Sequence, residues 1–319
     1  MSDSTRPPLA NASDSMPSHA IPAVLEGRES PFVQPKTYLR PESRKSAVEV
    51  SLSPIEREQM LGLKAIRDFL KVRTSYDVLP LSFRLVILNT DLLVKKSLNI
   101  LLQNEIEKAI GVLPIETVSV HPMRPLYEAC RRMLESRARR IPLVDIDDET
   151  QREMVVSVVT QYRILKFIAV NVTETQMLKR PVSEIGLGTY GKLQTASMDT
   201  PVIDVIHMMV DKSISSVPIV DEDMRVLNVY ESVDVITIIK GGVYDELTTS
   251  VGEALSKRAE DFAGIYTCTP DDRLDSIFDT LRKSRVHRLV VIDEENRLKG
   301  VISLSDILQY ILLEGEEYD

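Results

Sequence analysis

The chain has 319 residues, of which 43% are hydrophobic, and it carries a formal net charge of −9 at pH 7. This length and apolar content are enough for one or two domains with real cores. The net negative charge argues against nucleic acid as the main partner. No apolar run reaches the ~18 residues that a membrane-spanning helix needs, so no membrane partner is expected.

The first 52 residues are rich in proline and serine and show little periodicity, which predicts a disordered tail. The stretch Ser51–Pro54 has two interpretations, a phosphorylation site or a helix that starts at Ser53 with proline in its first turn. The helical spacing of apolar residues from Ile55 to Val72 favours the helix start.

Three later segments repeat one pattern of elements. Amphipathic helices are predicted over Leu126–Ser136, Val202–Lys212 and Leu274–Ser284. Each is followed by an apolar strand, a polar turn, a second strand and a second helix, the second helices being Arg163–Val170, Asp234–Lys240 and Asp306–Leu313. A fixed period with this content indicates one structural unit repeated. Such units have one apolar sheet face each, so they are expected to pack in pairs.

A fourth copy begins earlier and stops. The stretch Val94–Asn104 matches the first helix of the pattern, but both core strands and the second helix are missing after it. The loss amounts to about 40 residues against the period of the other copies. We interpret this segment as a truncated first repeat.

The two cysteines are too few and too far apart for a disulfide framework. Cys130 lies on the apolar face of a predicted helix and Cys268 lies in a short apolar strand. Both are predicted to be buried, reduced thiols of an intracellular protein.

The order of elements resembles the CBS repeat, which pairs into Bateman modules. The segment TSYDVLPLSFRLVILNTDLLVKKSLN (Thr74–Asn99) and four repeats are similar to the γ subunit of the AMP-activated or sucrose non-fermenting (SNF1) protein kinase. TQYRILKF (Thr160–Phe167) is closest to its fungal members, and SVGEAL, RVHRLVVID and SLSDIL are also similar. The resemblance covers residues 60 to 314 apart from the missing segment.

This resemblance implies an α/β (α+β) fold of tandem CBS repeats, each with the order β-α-β-β-α. The predicted organisation is a tail over residues 1–52, then an N-terminal helix and truncated repeat one over 53–104. Repeats two, three and four follow over residues 105–182, 183–247 and 248–319.

Asp306 follows a predicted strand and lies at the start of a helix. A carboxylate there can accept hydrogen bonds from both ribose hydroxyls, and helix N-terminal amides suit phosphate. The alternative is an ordinary helix cap. Asp234 at the matching place in repeat three favours binding. In repeat two that place is Arg163, and the resemblance implies that aspartate marks an occupied pocket and arginine an empty one.

Basic residues occupy one repeat position twice in this acidic chain. His287-Arg288 aligns with Arg139-Arg140 and with Ser215-Ser216. Guanidinium groups there could converge on polyphosphate, which they bind at two points. The alternative is a solvated basic face.

The resemblance further implies two pockets between repeats three and four. The first would be formed by Thr189, Ile214, Ser215, Ser303, Ser305 and Asp306. The second would be formed by Arg258, Ile265, Val286 and Asp234. Arg140, Thr160, His287 and Arg288 would face the phosphates from the centre, and Arg163 would supply charge without a ribose partner.

Other motifs carry no chemistry. The stretch Gly186–Gly191 satisfies G-x-G-x-x-G, but neither a strand before it nor a helix after it is predicted, so we reject a dinucleotide site. The four histidines lack metal-ligand spacing. No catalytic residue, metal or cofactor is expected.

The leading hypothesis is a non-catalytic regulatory subunit that binds AMP, ADP or ATP between repeats three and four. By resemblance it would report energy or glucose status to a kinase with a catalytic α subunit and a scaffolding β subunit, in the cytoplasm and nucleus. The alternative is a scaffold that bridges the kinase subunits without sensing nucleotide. An enzyme with appended repeats is excluded because no chain remains for a catalytic domain.

Overall fold

The computed structural model of the chain describes residues 52–79, 118–235, 248–258 and 264–316. The predicted tail apart from Leu52, the predicted helix of repeat one at Val94–Asn104, and most of the predicted helix Asp234–Lys240 lie outside these ranges. Within them, no helix is both long enough and apolar enough to cross a membrane.

The first helix, α1 (Pro54–Val72), starts where the sequence predicts. Ser53 accepts a hydrogen bond from the backbone N–H of Glu56, and the Glu56 carboxylate accepts one from the Ser53 N–H at 2.8 Å. Proline at the first helical position costs the helix no hydrogen bond, because a backbone N–H there would have no acceptor within the helix. The helix interpretation of Ser51–Pro54 is therefore confirmed.

The three later repeats each contain a helix and an antiparallel strand pair. Repeat two has α2 (Leu126–Glu135), β1 (Arg140–Ile146), β2 (Glu153–Thr160) and α3 (Gln161–Asn171). Repeat three has α4 (Val202–Asp211), β3 (Ser216–Val220) and β4 (Val226–Glu231). Repeat four has α5 (Val251–Ser256), β5 (Thr267–Cys268), α6 (Leu274–Lys283), β6 (Arg288–Ile292), β7 (Leu298–Ser303) and α7 (Leu304–Leu313). Two short 3-10 turns lie at Ser75–Val78 and Thr173–Met177.

A parallel partner precedes the helix of each repeat. In repeat four it is the strand β5, which pairs with β6. In repeats two and three it is a single bridge, Val120 beside Leu143 and Ala196 beside Ile219. The α+β fold is therefore confirmed, and so is the predicted order of strand, helix, strand, strand, helix in repeats two and four. In repeat three the order is confirmed through the second strand, because most of its predicted second helix lies outside the described residues. The first strand is reduced to one residue in repeats two and three.

The strand pairs have the same register in all three repeats. The first residue of one strand faces the last residue of the other, as Arg140 with Thr160, Ser216 with Glu231 and Arg288 with Ser303. Each pair is also interrupted by a bulge at the same step, between Leu143 and Val144, Ile219 and Val220, and Val291 and Ile292. Equivalent positions can therefore be identified residue by residue.

Among the described residues the core has three apolar clusters. The largest joins α1, α2, α3, α6 and α7, and it includes Leu63, Met133, Ile164, Phe278 and Ile311. A second fills repeat three around Val205 and Tyr230. The third lies between the sheets β3–β4 and β6–β7 and includes Val220, Val229, Val290 and Leu298. Repeats three and four therefore pack sheet against sheet.

Helices α1 and α7, which are far apart in sequence, are joined by buried polar contacts. Gln59 donates to the Tyr310 hydroxyl at 3.1 Å. Arg67, which is 1% exposed, donates from Nη1 to the carbonyl oxygens of Ile311 and Glu314 at 3.0 and 2.7 Å. A buried cation at this position satisfies the free carbonyls at the helix end and the negative end of its dipole.

Both cysteines are buried and unpaired, as the sequence predicts. Burial raises the pKa of the Cys268 thiol to about 12 and raises the pKa of Cys130 as well. Thiols with raised pKa values are poor nucleophiles, so both residues serve packing.

Candidate functional site

Asp306 is the third residue of α7 and forms a capping box with Ser303. Its Oδ2 accepts hydrogen bonds from the backbone N–H and the hydroxyl of Ser303, at 2.7 and 2.8 Å. In return the Asp306 N–H donates to the Ser303 hydroxyl at 3.3 Å. Within the described ranges, Oδ1 accepts no hydrogen bond. The cap therefore holds the carboxylate in place and leaves one oxygen available to a ligand.

Thr189 lies directly beside the strand that leads to Asp306. Thr189 and Val301 of β7 exchange two backbone hydrogen bonds, both of 2.9 Å. Gly188 allows this close approach, since a Cβ there would lie 2.7 Å from Ile302 Cγ1, and its φ of +104° favours glycine. The structure thus brings Thr189 and Asp306 to one strand end, and the Gly186–Gly191 stretch is a strand-edge contact that neither follows a strand nor opens a helix.

Tyr190 also belongs to this strand end, although the sequence did not indicate it. Burial raises the pKa of its phenol, and the charges of Cys268 and then Asp306 add to the effect. Tyr190 is 38% exposed, and its ring lies close to Gly300 of β7, where an added Cβ would be 2.8 Å from Tyr190 Cδ1.

Arg288 connects repeat four to repeat three. Its Nη1 donates to the Ser215 carbonyl oxygen at 3.3 Å, and its Nε lies 3.3 Å from Glu231 Oε1. Burial lowers the pKa of Arg288, which Glu231 opposes and the nearby Arg139 reinforces. Ser215 and Arg288, both predicted site residues, are therefore in contact. Glu231 is an additional residue that sequence reasoning missed.

In repeat three the predicted ribose carboxylate is already occupied. Arg258 Nε donates to Asp234 Oδ1 at 2.8 Å, and Nη2 donates to Oδ2 at 2.6 Å. The Glu231 backbone N–H donates to Oδ2 as well, at 2.7 Å. The two side chains are only 9% and 10% exposed. Asp234 and Arg258 are thus brought together as predicted, but as a closed ion pair.

The predicted apolar site residues lie in separate clusters. Ile214 packs against the cluster of repeat three, and Ile265 packs against the cluster between the two sheets. Val286 is fully buried in the largest cluster. Their packing neither requires a ligand nor shows one pocket that all three line.

In repeat two, Arg163 occupies the place that Asp306 has in repeat four. The hydroxyl of Thr160 accepts a hydrogen bond from the Arg163 N–H at 3.3 Å, as Ser303 does from Asp306. The Arg163 guanidinium turns back to the Val158 carbonyl oxygen at 3.0 Å. The predicted equivalence of Arg163 and Asp306 is therefore confirmed by position.

Five arginines from repeats two and four influence one another electrostatically. This arginine cluster consists of Arg139, Arg140, Arg163, Arg285 and Arg288. Burial lowers the pKa of Arg140, and Arg139 and Arg285 lower it further. Burial also lowers the pKa of Arg163, again with a contribution from Arg285.

Much of this positive charge has no counter-charge. In the part of the chain that the structure describes, Arg139, Arg140 and Arg285 have no carboxylate within salt-bridge distance. Arg139, Arg285 and the adjacent His287 are solvent-exposed, so an anion can reach the cluster. Guanidinium groups gathered in this way are suited to phosphate. Arg139 lies at the repeat position where the sequence predicted guanidinium groups for polyphosphate, whereas Arg285, in the basic run before His287, was not assigned a role in the site.

Hydrogen bonds connect the arginine cluster to the start of α7. Ser305 donates to Gln161 Oε1 at 3.0 Å, and the Gln161 backbone N–H donates to the Arg139 carbonyl oxygen at 3.2 Å. The rings of Tyr162 and His287 also meet here, with their centroids 5.6 Å apart. The start of α7, which carries Asp306, is therefore connected through Gln161 to the backbone of Arg139, and the two groups are candidates for one site.

Comparison with known proteins identifies the family. The CBS domain pattern matches residues 109–170, 182–241 and 259–313. The chain is 50% identical over 309 residues to the 5'-AMP-activated protein kinase subunit gamma of Kluyveromyces lactis, covering 81% of this chain and 94% of that protein. The chain belongs to this γ-subunit family. Its resemblance to the γ subunits is therefore confirmed, and it is homologous to proteins that are regulatory and not catalytic subunits.

Two further comparisons agree. The subunit of the same name from Saccharomyces cerevisiae is 48% identical over 313 residues, covering 82% of this chain and 97% of that protein. An archaeal protein of known structure from Methanocaldococcus jannaschii matches with a TM-score of 0.50 and 18% identity, covering 78% of this chain and 81% of that chain. The structural match supports the fold of this γ-family chain.

The alignment with the Kluyveromyces relative also contains positions that have no residue in this γ-family chain. The alignment with the Kluyveromyces protein runs over 309 positions, whereas 81% of 319 residues is about 258 residues. About 50 aligned positions, 309 less 258, therefore have no counterpart here.

Proposed function

We propose that this chain is the regulatory γ subunit of a heterotrimeric protein kinase and binds AMP, ADP or ATP at Asp306 and the arginine cluster. The observation that carries the proposal is the arginine cluster, in which Arg139, Arg140 and Arg285 have no carboxylate within salt-bridge distance among the described residues. Hydrogen bonds through Gln161 connect the backbone of Arg139 to Ser305, which is next to Asp306. The names of the relatives support the kinase context.

The two parts of the site bind different parts of the nucleotide. Asp306 Oδ1 accepts hydrogen bonds from the ribose hydroxyls, while Oδ2 stays on the Ser303 cap. The arginine cluster binds the phosphates, and more phosphates engage more guanidinium groups. A site of this kind discriminates nucleotides by phosphate count, because each form has a different affinity for the conformations that the subunit can adopt.

The remaining repeats contribute less to ribose binding. Asp234 is held by Arg258 at both oxygens, so a ribose would have to displace a buried ion pair. Repeat two has Arg163 in place of the carboxylate and supplies only positive charge. We therefore expect one principal nucleotide site, at repeat four.

The partners in this proposal are a catalytic α subunit and a scaffolding β subunit. The complex would act in the cytoplasm and nucleus and would couple energy or glucose status to kinase activity. The family of the chain supports the kinase partnership, and the location follows from the same resemblance.

Isothermal titration calorimetry with AMP, ADP and ATP tests the site. Asp306→Asn retains an oxygen that can accept from Ser303 but removes the charge, so affinity should fall roughly 10- to 100-fold, as expected for losing charged hydrogen bonds. Asp204→Asn is the matched control, because Asp204 is exposed and also lies third in its helix, α4. Unchanged affinity in Asp306→Asn would contradict the assignment.

A second function remains supported by a specific observation. The closed Arg258–Asp234 pair and the truncated first repeat both reduce the number of usable pockets, which favours a scaffold without nucleotide sensing. In that case the wild-type chain would co-purify with the kinase α and β subunits but would release no heat with any of the three nucleotides.

A further inference from the structure

Repeats three and four show how the outer face of a CBS sheet is covered in this fold. Val220 and Val229 of repeat three pack against Val290 and Leu298 of repeat four. These four side chains are 8%, 3%, 1% and 8% exposed. Each sheet covers the other, so neither apolar face meets solvent.

The two sheets are also joined by a reciprocal backbone bridge. Arg225 pairs with Arg297 in antiparallel orientation. The Val226 N–H donates to the Asn296 carbonyl, and the Leu298 N–H donates to the Met224 carbonyl, both at 2.9 Å. Arg225 and Arg297 occupy equivalent positions in repeats three and four. A contact between equivalent positions is what a local two-fold axis between the two repeats produces.

Repeat two has the same face. The shared register makes Val144, Val155 and Val158 equivalent to Val220, Val226 and Val229. Met154 is likewise equivalent to the bridging residues Arg225 and Arg297. We call the surface formed by Val144, Ile146, Val155 and Val158 the pairing face. Met154 lies at its edge, since its side chain alternates to the other side of β2.

The pairing face has no corresponding cover among the described residues. Its three valines are partly exposed, and they neither belong to nor pack against any of the three apolar clusters. At its rim, Ile146 is 57% exposed and Met154 is 50% exposed. Apolar side chains grouped in this way mark an interaction surface.

The natural cover for this face would be the sheet of repeat one. The sequence between Asn104 and Val118 is too short to supply two core strands and a helix. The equivalent sheet faces of repeats three and four are already packed against each other, so neither of them can cover the pairing face of the same chain.

We propose that the pairing face binds the pairing face of a second copy of this chain, so that two copies of repeat two complete one CBS pair between them. The occupant follows from the fold, because a CBS sheet in this chain is covered by another CBS sheet through a bridge that is symmetric in position. Two identical faces can use that bridge across a true two-fold axis, with Met154 against Met154 of the partner copy.

Cysteine cross-linking tests the position of the axis. Paired residues across antiparallel strands have Cα atoms about 4.5–5.5 Å apart, which is within the range of a disulfide. Met154→Cys in the full-length chain should therefore form a disulfide-linked dimer under mild oxidation, reversible by reductant. The native cysteines are buried and should not contribute. Met123→Cys is the control, since Met123 is 63% exposed and lies outside the pairing face.

Sedimentation velocity tests the association itself, with the full-length chain in nucleotide-free buffer. Wild type should sediment as a dimer, and Val155→Asp should shift it to monomer because two carboxylates would enter the apolar contact. Val210→Asp, at a 71% exposed position of α4, should remain dimeric. Circular dichroism confirms that each variant is folded.

The outcomes separate the possible covers of the face. A wild-type chain that is monomeric at tens of micromolar and gives no Met154→Cys cross-link would overturn the proposal, leaving another part of this chain or a kinase partner as the cover. A dimer that survives Val155→Asp in a folded protein would also overturn it, because the contact would lie elsewhere. Nucleotide binding does not enter either readout, so this proposal and the proposed function fail independently.

Discussion

Arg258 and Asp234 form a two-point ion pair in which the guanidinium Nε and Nη2 donate to separate carboxylate oxygens, at 2.8 and 2.6 Å. The same guanidinium donates through Nη1 to the Asn228 side chain at 2.8 Å. The pair joins the segment after α5 to the end of β4, so it fastens repeat four to repeat three at the place where the second pocket was predicted.

Removing Arg258 should destabilise the protein strongly. In Arg258→Gln the Asp234 carboxylate stays buried without its counter-charge, which typically costs about 3–5 kcal/mol. The free energy of unfolding from urea titration measures the loss. Arg225→Gln is the control, since the Arg225–Asp223 pair is exposed and such pairs contribute about 1 kcal/mol or less. If the free energy of unfolding fell equally in Arg258→Gln and Arg225→Gln, burial would not be the reason that the Arg258–Asp234 pair stabilises the protein.

Gly188→Ala should separate Thr189 from β7. The new Cβ would lie 2.7 Å from Ile302 Cγ1 and 2.8 Å from the Val301 carbonyl oxygen, at a φ of +104°. Strain of this kind costs about 1–3 kcal/mol, and we expect a corresponding loss in the free energy of unfolding. Gly191→Ala should be nearly neutral, because a Cβ there meets no atom within 4 Å. A neutral Gly188→Ala would show that the strand-edge contact relaxes freely.

Arg285→Ala should reduce stabilisation by anions without harming the free protein. Arg285 contributes to the lowered pKa of Arg140 and Arg163, after burial, so its removal relieves repulsion between like charges. In thermal melts, inorganic tripolyphosphate should raise the wild-type Tm more than that of Arg285→Ala, and added KCl should narrow the difference. Lys283→Ala removes an equal charge at an exposed position and should respond as wild type does.

Asp293 should make stability depend on acid pH. Desolvation raises its pKa, but hydrogen bonds from the Arg297 N–H and the side chains of Lys299 and Arg297 outweigh it and hold the pKa well below the ordinary 3.8. A lowered folded pKa contributes stability above the unfolded pKa, and that stability is lost as the pH falls through the folded value. Asp293→Asn should therefore be less stable than wild type at pH 7.

The difference between Asp293→Asn and wild type should shrink as the pH falls below about 3.8, the ordinary carboxyl pKa. Urea midpoints measured between pH 7 and pH 2 give the profile. Asp271→Asn, at an exposed position of the same repeat, should run parallel to wild type throughout. If the difference in urea midpoint between wild type and Asp293→Asn stayed constant from pH 7 to pH 2, the lowered pKa of Asp293 would not be the source of the stability.

Much of the fold follows from comparing the chain with itself. The first helices of the three repeats end within one residue of their predicted bounds, because amphipathic spacing and repeat alignment point to the same positions. The positions of the short parallel strands at Val120 and Ala196 could not be predicted in this way. Each is a single bridging residue, and one residue has no alternation of apolar and polar side chains that a sequence pattern could detect.

In the candidate site, the equivalent positions of the repeats could be predicted from the sequence, but the contacts between their side chains could not. The equivalence of Asp306 and Arg163 follows from the repeat register. The closure of Asp234 by Arg258 does not, because it depends on where a long side chain from 24 residues away can reach in the folded protein. The hydrogen bond from Ser305 to Gln161 spans 144 residues and had no sequence signal.

The contacts between α1 and α7 have a consequence for how the chain is made. Gln59 meets Tyr310 across 251 positions, and Arg67 meets Ile311 across 244. At ribosomal rates of ~5–20 residues per second, α1 waits for its partner on the order of ten seconds or more after it is synthesised. During that interval α2 and the turn Thr173–Met177 can already pack against the apolar stripe of α1. The Arg67 guanidinium still lacks the carbonyl oxygens of Ile311 and Glu314, which complete its contacts only when the last helix is made.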